Sequence, residues 1–159
     1  IWIARYVFDL SPEIQAAAGI LPILGHSWSI FLSFTGGRGI APAIGVLFAI
    51  APTSPIELVA FILVGLSGWL VTRSAALWVG ITTILLPIWS FLAMLTVDRE
   101  PAYIVLMGAI IATVATKRLI SNPGTDAKGV PLKRQLLHRL LHDRDISSRQ
   151  EWIHRKPSQ

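Results

Sequence analysis

The sequence predicts an all-α polytopic membrane protein: about five transmembrane helices followed by a basic amphipathic cytoplasmic tail helix. Three observations carry this. Apolar residues make up 53% of the 159 and charged ones only 14%, with a mean hydropathy of +0.60, which is more apolar surface than a globule of this size can hide. Proline, glycine and charge punctuate the first 120 residues into runs of roughly bilayer-spanning length. Charge is also unevenly divided, with a net of −1 over residues 1–116 and +6 over residues 117–159. The high pI therefore belongs to the tail, and without interleaved basic and aromatic residues it does not point to nucleic acid. Two parts follow, a bundle over 1–120 and a basic tail over 121–159.

Residues 1–10 are apolar but too short to cross a bilayer alone, and read as the end of a helix whose start is missing, in a chain that begins with Ile. Ser11, Pro12 and Glu13 then mark a helix start: an N-cap, a proline at the first helical position and an acid in the first turn. The first span is expected over residues 12–33. A second, over 39–56, carries small residues suited to close packing and is closed by Pro52 and Pro55. A third runs over 55–72, a fourth over 74–97 with a kink at Pro87, and a fifth over 101–116, ending on Lys117 and Arg118. No internal repeat is visible.

Beyond Ser121, Asn122, Pro123 and Gly124 the composition becomes that of a linker. Residues 130–143 place Leu132, Leu136, Leu137, Leu140 and Leu141 on one side and basic residues on the rest, an amphipathic helix expected to lie on anionic lipid headgroups, with packing on the bundle as the alternative. Residues 147–159 are expected to be disordered. Cysteine is absent, which excludes disulfides, thiolate metal sites and a cysteine nucleophile. His138 and His142 stand four apart on the tail helix, a spacing more often a solvated face than a metal site. No metal is expected.

The stretch from Gly25 to Pro42 draws most attention. Gly36, Gly37 and Gly39 surround Arg38 between two uncharged segments. Such glycines let backbone N–H groups approach a ligand while the guanidinium meets phosphate oxygens, so the stretch reads as an anion cradle. The competing reading is a tight connection whose arginine snorkels to water. The positive-inside tendency places Lys117, Arg118 and the C-terminus in the cytoplasm; counting spans back puts Arg73 and the glycine turn on that same face, and two cations there favour an anionic ligand.

This stretch resembles the second motif of the bacterial acyl-phosphate:glycerol-3-phosphate acyltransferase family, PlsY, whose pattern is Gly-His, an aromatic, a phenylalanine, then Gly-Gly-Lys-Gly-Val-Ala-Thr. Gly25, His26, Trp28, Phe31 and Phe34 match, and the run from Gly36 to Pro42 matches with changes. The resemblance implies a seven-span fold of which this chain holds the last five spans. It implies transfer of a fatty acyl group from acyl phosphate to sn-glycerol 3-phosphate, giving lysophosphatidic acid at the bacterial inner membrane. The substrate phosphates would be held by Gly36, Gly37, Arg38, Gly39 and Arg73. His26 and Ser74 are the candidate catalytic side chains, although His26, inside the first span, reads first as a histidine bonded to a neighbouring helix. No cofactor is implied, neither magnesium nor nucleotide. The third motif of the family, Thr-Arg-Tyr-x-Ser-Leu, stands here as Thr72, Arg73, Ser74, Ala75, Ala76 and Leu77, with alanine at the serine. The late His and Asn of the family are not found over residues 112–116. Those departures support a second reading, a degenerate non-catalytic member that binds lipid or protein partners.

Overall fold

The computed structural model describes residues 1–97, 100–120 and 131–143. The charged turn at Asp98 and Arg99, the linker over 121–129 and the expected disorder over 147–159 lie outside the described residues. Among the described residues six α-helices follow in order: α1 (Pro12–Ser27), α2 (Ile40–Ile50), α3 (Ile56–Thr72), α4 (Ala75–Val97), α5 (Ala102–Ile120) and α6 (Leu132–His142). A short π-helical turn (Ile3–Val7) precedes them, and a 3₁₀ turn (Ile30–Leu32) stands between α1 and α2. The fold is an all-α polytopic membrane architecture, and all five apolar helices form.

Among the described residues three stretches are long and apolar enough to cross a membrane: Pro12–Leu32, Ala75–Val97 and Ala102–Ile120. Two expectations change in detail. The second apolar segment, expected over 39–56, is helical only over Ile40–Ile50, about 16 Å at the helical rise per residue and well short of a bilayer core. It stops where Pro52 and Pro55 remove amide donors and bias the chain away from helix. The fifth helix, in contrast, runs past residue 116 to Ile120. Pro87 sits inside α4, which continues through it.

Helix α1 packs along α5, α5 along α4, and α4 along α3, while the short α2 bridges α1 and α3. Ile23, Leu47, Ile50, Leu86, Met107 and Ile110 are fully buried where these helices meet. Large apolar side chains such as Phe48, Leu63, Leu95 and Val105 stay exposed, the surface expected of helices solvated by acyl chains. Polar pairs pin one end of the bundle: the Tyr103 hydroxyl donates to Gln15 Oε1 at 2.6 Å, and Gln15 Nε2 donates to the Leu10 carbonyl at 2.7 Å. The opposite end collects the C-termini of α1 and α5 and the N-terminus of α4.

Candidate functional site

That opposite end is built on the glycine turn. Helix α1 stops at Ser27, six residues before the expected end, because the returning chain takes its terminal carbonyls: the Gly37 N–H donates to the His26 carbonyl at 3.1 Å. Gly36 lies so close to this helix end that a Cβ there would meet the carbonyl oxygens of His26 and Ser27. Gly37 lies under the His26 ring, and a Cβ there would meet Nε2. Gly39 adopts φ +78°, the left-handed region that glycine enters without penalty, and from it α2 begins. The glycines thus serve close approach and chain reversal, and the Gly37 N–H already has its acceptor.

His26 is placed differently from the expectation. Among the described residues no hydrogen bond joins its ring to a neighbouring helix; it occupies the last turn of α1, exposed, over the glycine turn. The early end of α1 brings it there. Beside it, the hydroxyl of Ser27 is fully buried and has no hydrogen-bond partner among the described residues. Its Oγ lies against Gly39, 2.8 Å from where a Cβ would stand.

Arg38 points from the turn to the end of α5, where Nη1 donates to the Lys117 carbonyl at 3.3 Å. The same nitrogen pairs with Asp143 Oδ1 at 2.7 Å, just past the end of α6. Lys117 and Arg118 are both buried. Lys117 Nζ lies over the Trp28 ring, 5.3 Å from its centroid. Arg118 spans two elements, donating from Nη2 to the Ala76 carbonyl in the first turn of α4 (2.9 Å) and from Nη1 to the Leu140 carbonyl in α6 (2.6 Å). Burial pushes the Asp143 carboxyl above the ordinary carboxylate range, against the downward pull of Arg38 and Arg118.

Arg73 caps α3 in the left-handed conformation at φ +58°, and its exposed guanidinium lies over Trp69, 5.9 Å from the ring centroid. The turn it belongs to is fixed by Trp78, whose Nε1 donates to the Thr72 hydroxyl at 2.7 Å. Ser74 sits half-buried between α3 and α4, its carbonyl accepting the Trp78 N–H. Gly36, Gly37, Arg38, Gly39 and His26 therefore come together directly. Arg73 and Ser74 stand at the same end of the bundle through Ala76, which Arg118 ties to α5.

Arg118, Lys117, Ser27 and Asp143 are the residues that reasoning from sequence did not place in the site. The first two were visible as a basic pair but read only as a topological signal. The tail helix also behaves otherwise than its leading expectation: it packs on α4 and α5 through the contacts to Arg38 and Arg118 and a bond from Arg139 Nη1 to the Leu119 carbonyl at 3.0 Å. His138 and His142 stack on α6 with ring centroids 6.0 Å apart. Among the described residues no group of three His, Asp or Glu comes together to hold a metal ion.

Comparison with known proteins agrees with the motif. The family described as glycerol-3-phosphate acyltransferase matches residues 1–124. Glycerol-3-phosphate acyltransferase 4 of Dehalococcoides mccartyi (strain CBDB1) is 29% identical over 143 residues, covering 89% of this chain and 60% of the relative. The glycerol-3-phosphate acyltransferase of Neisseria meningitidis serogroup A (strain Z2491) is 40% identical over 68 residues, covering 43% of this chain and 34% of that protein. The chain thus spans at most about 60% of the length of these curated relatives. No solved structure gives a significant match. Since that family match extends over residues 1–124, most of its length, the chain belongs to the glycerol-3-phosphate acyltransferase family.

Proposed function

We propose that this chain is the acyl-transfer part of a bacterial inner-membrane enzyme that moves a fatty acyl group from acyl phosphate to the 1-hydroxyl of sn-glycerol 3-phosphate, a step of phospholipid biosynthesis. The hydroxyl oxygen attacks the acyl carbonyl carbon, the bond from that carbon to the phosphate oxygen breaks, and inorganic phosphate leaves with lysophosphatidic acid as the other product. The mixed anhydride is already activated, so the protein need not supply a covalent nucleophile or a cofactor. Its task is to hold two phosphates and orient one hydroxyl.

The observation that carries this reading is the convergence of the glycine turn, Arg38 and Arg118 at one end of the bundle. Arg38 supplies a planar fork for phosphate oxygens. The start of α2, entered from Gly39, adds amide donors whose helical partners do not exist. Arg73 extends the cationic surface on the same end. His26, exposed beside the turn, is the candidate acceptor of the hydroxyl proton, and Ser74 a weaker one. The excess of Lys and Arg beyond residue 116 supports a cytoplasmic placement of this end, where soluble glycerol 3-phosphate is met.

A second reading, a non-catalytic family member that binds lipid or partners, draws on Ala76, which stands at the position of the third-motif serine and gives its carbonyl to Arg118. The two separate in membranes from cells expressing the complete gene. Acyl phosphate plus glycerol 3-phosphate should give lysophosphatidic acid there; no product above membranes lacking the protein excludes the catalytic reading.

A further inference from the structure

Helix α6 lies beyond the residues that the family matches, yet it closes on the site. Asp143 is the single acid in residues 131–143, among Lys133, Arg134, Arg139 and two histidines. It sits just past the helix at φ +56°, a conformation aspartate tolerates, with its N–H donating to the Arg139 carbonyl at 3.0 Å. This exit places its carboxylate on Arg38, and the charges of both Arg38 and Arg118 act on it. In the same docked state the Leu140 carbonyl occupies Arg118 Nη1. The helix therefore engages both guanidiniums at once, one through an anion.

We propose that Arg38 and Arg118 form one anion site for a phosphate monoester, and that Asp143 is its tethered occupant, so that α6 competes with phosphate for the site. The proposal rests on the reading of Arg38 as a phosphate ligand, and not on acyl transfer itself. A phosphate dianion carries more charge than a carboxylate and has oxygens enough for two forks. The contact it must displace is partly exposed, with side chains 27% and 25% accessible, and solvent screening discounts what such a pair contributes. Leu132 and Leu137 remain largely exposed on the docked helix, so apolar burial holds α6 only in part. Release would free Arg118 Nη1 while Nη2 stays on Ala76.

These 159 residues hold no cysteine, and Val71→Cys on α3 and Leu137→Cys on α6, both at exposed positions, can carry a pair of spin labels once any cysteine elsewhere in the full protein is replaced by serine. The label distance is measured in the full protein in nanodiscs, against inorganic phosphate, sn-glycerol 3-phosphate, or phosphatidic acid in the disc with no free phosphate. Phosphate should lengthen and broaden the distance. Asp143→Asn should lower the concentration for half-release roughly three- to tenfold, while Asp143→Glu should stay near the parent. Release by the free ions identifies a soluble ester as the ligand, and release by phosphatidic acid alone identifies a lipid headgroup. A distance unchanged by all three, or an Asp143→Asn curve that overlays the parent, overturns the proposal. Because the reading is helix position, that failure would leave acyl transfer standing, and absent acyl transfer would leave phosphate-driven release standing.

Discussion

Gly80 faces the buried guanidinium of Arg118: a Cβ at that position of α4 would stand 2.5 Å from Nη1. Helix propensity alone argues that Gly80→Ala should stabilise α4 by about 1 kcal/mol. The guanidinium cannot easily retreat, because it is held by the carbonyls of Ala76 and Leu140. The steric term should win, with a net loss of roughly 1–3 kcal/mol and a looser α6. A thermal melt in detergent with trypsin cleavage in α6 as a second reading checks this. A raised Tm with α6 still protected would show that Arg118 is not fixed.

The glycine turn gives an ordered pair of effects. At Gly36 a Cβ would meet two main-chain carbonyl oxygens, and neither can move without unwinding the end of α1. At Gly37 it would meet the tip of the His26 ring, which can swing into solvent. Gly36→Ala should therefore cost more than about 3 kcal/mol and Gly37→Ala less than half of that, measured as shifts in Tm of the protein in detergent. Equal shifts would mean that the turn is not seated on α1 as described.

Much of this architecture can be read from the chain, and the parts that cannot share a cause. Ser11 and Pro12 set the start of α1, and the Pro52 and Pro55 pair sets the gap before α3, because local chemistry decides those positions. The end of α1 is different: nothing local stops an apolar helix at Ser27. It ends there because Gly37, ten residues on, takes the His26 carbonyl. The same distance in sequence hid the basic cluster. Arg118 finds its partners 42 residues back at Ala76 and 22 residues on at Leu140, and no periodicity relates those positions. Asp143 was invisible as a site residue because an acid on a basic helix reads as solvated until the helix has a docking face.

Arg38 and Arg73 should differ in how their loss is felt. Arg38 is held against the Lys117 carbonyl and Asp143, at the mouth of the glycine turn, and a fixed charge there can act on the departing phosphate as negative charge develops. Arg73 is exposed over Trp69, where it can attract an anion but is free to move. Arg38→Ala should lower kcat/KM for acyl transfer by roughly 10² or more, with much of the loss in kcat. Arg38→Lys restores the residue of the family pattern and should recover a large part of it, because a point charge remains although the fork is lost. Arg73→Ala should act mainly on KM for glycerol 3-phosphate, by less than about tenfold, and its effect should shrink in high salt. Steady-state kinetics of the three variants, at two ionic strengths, would separate these roles. A larger kcat defect at Arg73 than at Arg38 would move the phosphate site from the glycine turn to the turn between α3 and α4.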